Sequence, residues 1–113
     1  MQSKMLDKKH RLPRDINFSN AKAFSSYAFL IKVGIGRSEF PRFGIVVSKK
    51  IDKRAVGRNK IKRQIRSSIE KLLPKINSSR DILIIARDGI GEKSSDEILT
   101  LLTDFFEKFK LLK

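Results

Sequence analysis

Four apolar residues inside a basic run constrain this chain most. Ile61, Ile65, Ile69 and Leu72 recur at steps of four, four and three, which is one stripe of an α-helix. The run around them, Lys49 to Arg66, carries nine basic side chains: Lys49, Lys50, Lys53, Arg54, Arg58, Lys60, Lys62, Arg63 and Arg66. Asp52 is the single acid among them. With Ile61 at zero and about 100° per residue, the stripe spans roughly 0–80°. Asn59, Lys62, Arg63 and Arg66 fall at roughly 100–200°. Arg58 lies near the stripe in the first turn, where it can reach past the core edge. The spacing thus predicts one helix that buries one side and holds a fixed cationic face beside it. Fixed charges suit phosphate, because the scaffold has ordered them before the partner arrives. A merely solvated face would set Glu against Lys four residues apart. The run has no Glu, and Arg58/Lys62 and Lys62/Arg66 repel each other by roughly a few tenths of a kcal/mol per pair. An anionic partner relieves that repulsion.

The whole chain points the same way. Lys and Arg number 26 against 12 Asp and Glu in 113 residues, a formal charge of +14 that favours nucleic acid or an acidic surface. The length suits a single domain spanning 1–113, one that buries roughly two thirds of its unfolded surface. There is no cysteine, which removes disulfides, thiolate nucleophiles and cysteine zinc sites. The one histidine, His10, lies in a polar segment and reads as a solvated side chain or a phosphate contact. No apolar run approaches the roughly 18 residues of a membrane span, and the N-terminus lacks a signal-peptide core. The expectation is a soluble, cytoplasmic protein with no membrane partner.

Along the chain, residues 1–14 read as a basic arm with Lys4, Lys8, Lys9, Arg11 and Arg14. Asp15 to Phe24 is expected to form a short helix capped by Asp15 or Asn17, with Phe18 as its large apolar residue, either a plug in the core or an exposed functional ring. Tyr27 to Ile35 and Phe43 to Ser48 read as strands, paired as a hairpin across the turn residues Gly36 to Pro41. Phe29, Ile31 and Val33 share one face of the first strand, with Leu30 and Lys32 on the other. The basic helix is expected to fade before Pro74. Ile82 to Ala86 reads as a strand covered on both faces. Asp88-Gly89 turns the chain. Ser94-x-x-Glu97 has capping-box spacing and opens a last helix, with Ile98, Leu101, Leu102, Phe105, Phe109 and Leu112 as its stripe. The fold class is α+β: a small mixed β-sheet packed with helices as a two-layer sandwich.

Catalytic patterns are missing. The acids are scattered, and the chain has no HExxH, no Walker loop and no Ser-His-Asp context. A DNA-reading helix-turn-helix would need two adjacent short helices, which the strand before the basic helix does not supply. The residues by themselves describe a rigid RNA- or DNA-binding domain without a catalytic constellation. A ribosomal or other structural RNA-binding protein is the alternative of this kind.

The stretch Ser48 to Arg66 resembles the signature of the bacterial ribonuclease P protein component. That family leads from a strand ending in a Ser-Lys-Lys type sequence into a helix bearing Ala-Val-x-Arg-Asn-x-x-Lys-Arg-x-x-Arg. Ala55, Val56, Arg58, Asn59, Lys62, Arg63 and Arg66 match it position by position. Arg11-Leu12 followed by Phe18, Arg42-Phe43-Gly44, and Asp81 through Arg87 resemble three further family segments. Ser67 stands where Glu often follows the motif, and Lys22 where a second aromatic is often found. The resemblance implies a left-handed βαβ crossover around the basic helix. It also implies that a catalytic RNA, with Mg²⁺ held mainly by that RNA, cleaves precursor tRNA at its mature 5′ end. The protein's own part would be RNA binding through Lys49, Lys50, Lys53, Arg54, Arg58, Asn59, Lys62, Arg63 and Arg66. The 5′ leader would lie against Phe18, Lys32 and Ser48. No catalytic or metal-binding residue and no DNA partner are implied.

Overall fold

The computed structural model describes residues 10–12, 22–34, 40–76 and 80–109. Its elements are β1 (Lys22–Ser25), β2 (Phe29–Gly34), β3 (Arg42–Val46), α1 (Ala55–Leu72), β4 (Asp81–Ala86) and α2 (Ser95–Lys108). Short 3-10 turns follow α1 at Leu73–Lys75 and β4 at Asp88–Glu92. The four strands form one mixed sheet in the order β1-β2-β4-β3.

The expected hairpin between β2 and β3 does not form. β4 lies between them, antiparallel to β2 and parallel to β3. The central position of a sheet pairs both edges of a strand, and β4, a continuous apolar run, fills it best. The β3–α1–β4 connection is therefore a parallel crossover with the basic helix as its crossing element.

The register divides the sheet into two faces. One face carries the rows Phe24–Ile31–Ile84–Ile45 and Lys22–Val33–Ile82–Phe43. Ile61, Ile65, Ile69 and Leu72 of α1 and Ile98, Leu102 and Phe106 of α2 join that face in one core. The other face carries Ser25–Leu30–Ile85–Val46 and Ala23–Lys32–Leu83–Gly44. Leu30, Lys32, Leu83 and Ile85 are half-buried there, so β4 is fully covered on one face only, contrary to expectation. The helical layer lies on one side, which leaves the second face partly open.

Two further expectations change. Lys22–Ser25 is an edge strand where the sequence predicts the end of a helix. Pairing with β2 overrides local propensity there, and Phe24 inserts against Phe105 and Phe109, at ring-centroid distances of 5.8 and 3.7 Å. The rest of that predicted helix, Asp15 and Phe18 included, lies outside the described residues. In α2 the centre of the buried stripe is Phe106, absent from the predicted stripe and fully buried against Phe43 at 6.4 Å between centroids. Phe105 and Phe109 turn aside toward β1, because two adjacent aromatic-rich rows leave the helix rotation to tertiary packing. The capping box is as predicted: the Ser94 hydroxyl accepts the Glu97 N–H at 3.1 Å, and Glu97 accepts the Ser94 N–H at 2.9 Å.

Of the N-terminal arm, residues 10–12 are described. Arg11 makes a parallel bridge to Phe43, and the Leu12 N–H donates to the Phe43 carbonyl at 3.0 Å. His10 Nδ1 lies 2.7 Å from the Pro41 carbonyl, and its ring meets Phe40 edge-on. Gly44 gives the arm its seat: a β-carbon there would come within 3.0 Å of Leu83 and 3.3 Å of Leu12.

Candidate nucleic-acid interface

The connection between β3 and α1 is built around Asp52. Ser48 O accepts the Ile51 N–H at 3.0 Å, which turns the chain. Asp52 Oδ1 then accepts the Arg54 backbone N–H at 2.9 Å, an Asx turn that places Arg54 at the helix N-cap. The Arg54 guanidinium grips the same carboxylate with two bonds, at 3.2 and 3.0 Å. These bonds from Arg54 hold the Asp52 carboxyl below its usual range, with weaker attraction from Arg54 and Arg58. Gly57 faces this carboxylate, and a β-carbon there would overlap it. Arg58 closes the arrangement: Nη1 donates to the carbonyls of Asp52 and Lys53, at 3.1 and 2.9 Å.

From that base α1 runs for 18 residues, roughly 27 Å. Gly57, Ile61, Ile65, Ser68, Ile69 and Leu72 are buried, so the predicted stripe is the buried side. Asn59 and Arg63 are exposed, and Lys62 and Arg66 half-buried, on the side the wheel assigns to them. Half-burial of the longer side chains means that their stems lie along the scaffold while their charged ends reach water. Lys49, Lys50, Lys53, Arg54 and Lys60 are exposed as well, and the first turn of α1 holds no acid. The structure thus brings Lys49, Lys50, Lys53, Arg54, Arg58, Asn59, Lys62, Arg63 and Arg66 onto α1 and the connection that feeds it. Val56, 74 % exposed at the start of the helix, adds an apolar surface that the basic pattern had masked.

The three remaining candidates are not clustered. Lys32 lies mid-sheet on the open face, beside Leu83. Ser48 is exposed two residues beyond β3, at the sheet end where the connection leaves. By strand geometry the two are roughly 13 Å apart along the strands and about 10 Å across them. Phe18 lies outside the described residues. One organising pair was not legible as a pair in the sequence. Arg42 binds Asp81 bidentately, both bonds 2.9 Å, where β3 and β4 begin. That pairing raises the Arg42 guanidinium above its ordinary value, chiefly through the side-chain hydrogen bonds. Asp81 is 2 % exposed, and only the parallel register reveals its partner.

A family model described as Ribonuclease P matches residues 6–110. The chain belongs to the ribonuclease P protein family. The ribonuclease P protein component of Bacillus cereus (strain Q1) is 36 % identical over 109 residues, covering 91 % of this chain and 93 % of the relative. The solved RNase P protein of Staphylococcus aureus superposes with a TM-score of 0.81 at 27 % identity, covering 92 % of this chain and 98 % of that one. That of Thermotoga maritima shares the fold, with a TM-score of 0.77 at 24 % identity and coverage of 87 % and 96 %. Membership makes the chain a ribonuclease P subunit in tRNA processing, with ribonuclease P RNA as its partner. Among the described residues, no helix is long and apolar enough to cross a membrane.

Proposed function

We propose that the protein binds the catalytic RNA of ribonuclease P through the cationic side of α1, and the 5′ leader of precursor tRNA on the open sheet face. The observation that carries this is α1 itself. Its buried side is fixed in the core while its other side and the preceding connection present nine RNA-directed residues without ordering them anew. Arg63, Arg66 and Lys62 would meet phosphates, with Asn59 adding a directional hydrogen bond. Lys49, Lys50 and Lys53 would extend the contact along the connection. Arg54 and Arg58 already bond to Asp52 and to backbone carbonyls, which sets the direction in which their remaining N–H groups point. On the open face an extended strand would run past Lys32 toward Ser48, with Phe18 as a stacking partner.

In this reading the reaction is RNA-catalysed hydrolysis of a phosphodiester at the mature 5′ end of tRNA. Mg²⁺ supplies charge stabilisation and an activated water in such hydrolysis. Among the described residues, no three His, Cys, Asp or Glu side chains converge to hold an ion. The reading gives the Mg²⁺ ions to the RNA. The site of action would be the cytoplasm. The test is depletion of the protein in its own cells. Accumulation of 5′-extended tRNA is the expected result; normal tRNA ends with defective ribosomal particles would overturn the reading.

A further inference from the structure

Among the described residues Tyr27 is the most exposed aromatic side chain, at 62 %. It is also the only tyrosine of a chain without tryptophan. Its ring is held in place. The Tyr27 carbonyl accepts the Gly89 N–H at 3.0 Å, and beside it the Ala28 carbonyl accepts the Arg87 N–H at 2.9 Å. A β-carbon on Gly89 would overlap the Cδ2–Cε2 edge of the ring, so only glycine lets the backbone lie against it. Lys93 Nζ sits 4.6 Å from the ring centroid. Arg87 is exposed next to this group, as is the carboxylate of Asp88.

The sheet topology gives the position meaning. β3 and β4 are parallel and β2 is antiparallel to β4. The start of β2 and the ends of β4 and β3 therefore share one end of the sheet. Tyr27, Arg87 and the Ser48–Lys50 exit all lie there, and the connection to α1 leaves from that exit. The ring thus stands at the sheet end from which the connection leaves, with Lys93 over it and Arg87 at the end of the neighbouring strand.

We propose that Tyr27 is a stacking platform for one unpaired RNA base, with Arg87 and Lys93 placed for the flanking phosphates. The proposal rests on the RNA-binding reading above and adds a site to it. Stacking suits any base and requires the base to be unpaired, because a duplex hides both faces. The Tyr27 ring is uncharged, so removing it takes away stacking and leaves the phosphate contacts, and their salt dependence, in place. Two sources share this chemistry: the leader of the precursor, and an unpaired segment of the catalytic RNA.

The sole tyrosine makes the test direct. In the full-length protein, a single-stranded RNA oligonucleotide should quench tyrosine fluorescence, and an RNA duplex at equal phosphate concentration should not. Tyr27→Ala should weaken oligonucleotide binding by about fivefold or more. The slope of log affinity against log salt should stay unchanged, and Tyr27→Phe should bind like wild type. If Tyr27→Ala melts early, Tyr27→Leu keeps bulk against Gly89 without an aromatic face and should show the same binding loss. In the assembled ribonucleoprotein, a loss confined to precursor tRNA with a leader assigns the base to the leader. A loss already present in affinity for the catalytic RNA assigns it there. Absence of quenching, equal quenching by duplex, or wild-type affinity of the aliphatic variants for all these RNAs would overturn the proposal. The oligonucleotide titration needs no catalytic RNA, so it stands or falls separately from 5′ processing.

Discussion

At Gly57 the helix forgoes about 1 kcal/mol of propensity relative to alanine and gains room for the Asp52 carboxylate against its first turn. The two positions should therefore be coupled. Gly57→Ala is expected to stabilise an Asp52→Ala background by about 1 kcal/mol, and to gain less than half of that in the wild type, where the new methyl displaces the carboxylate from Arg54. Thermal melts of the four proteins of that cycle measure the coupling; equal gains in both backgrounds would show that the carboxylate has no such seat. Asp81 makes a harder demand. Its carboxylate is buried and answered by the half-buried Arg42, so Asp81→Ala removes both bonds, leaves the guanidinium without this partner, and should cost about 1–3 kcal/mol in denaturant unfolding. A loss under 1 kcal/mol, the range of a surface ion pair, would contradict that. At this scale the sequence is uneven. The basic residues of α1 were legible because the apolar stripe sets the wheel. The Asp52–Gly57 contact and the Arg42–Asp81 pair were not, because one depends on a turn conformation and the other on a register between strands.

α1 and α2 were readable as elements because each announces its own period or cap, whereas β1 and the β2–β3 relationship were decided by partners far along the chain. The capping box of α2 carries a pH signature. Hydrogen bonding to the Ser94 N–H, aided by the Ser94 hydroxyl and Lys93, holds the Glu97 carboxyl below its ordinary value. A depressed folded value means that the ionised form stabilises the fold above the unfolded carboxylate value, about 4.3. The contribution disappears as pH falls through the folded value. Wild type should thus melt above Glu97→Gln near neutrality, and the gap should narrow as pH falls below the unfolded carboxylate value and through the folded one; a gap that stays constant on acidification would refute the assignment. For α1 the measurable quantity is salt dependence. Arg63→Ala with Arg66→Ala should flatten the plot of log RNA affinity against log salt by roughly 0.7–0.9 per lost contact. An unchanged slope in a folded double variant would remove α1 from the interface.

For the molecule as a whole, the division of labour gives its own expectation. The isolated protein, freed of RNA, should not cut precursor tRNA, and addition of the catalytic RNA with Mg²⁺ should restore specific 5′ cleavage. Cleavage at the correct site by RNA-free protein would reverse the assignment of chemistry to RNA. The α+β class and the packing of helices on a small sheet could be inferred from element order alone, but the strand order could not, since β4 is the last strand made yet takes an inner place between β2 and β3. That placement bears on synthesis. β2 and β3 are finished early, yet each finds its main neighbour only when residues 81–86 have left the ribosome. Until then α1 is a basic amphipathic segment with no sheet to cover its isoleucines, beside the largest body of RNA in the cell. Such late, long-range closure slows folding. A ribosome stalled before β4 should display a nascent chain that is protease-sensitive throughout, and one stalled far enough beyond α2 to free both elements should display a protected domain. The strand that completes the sheet is thus also the strand that times when the nascent chain first becomes a folded protein.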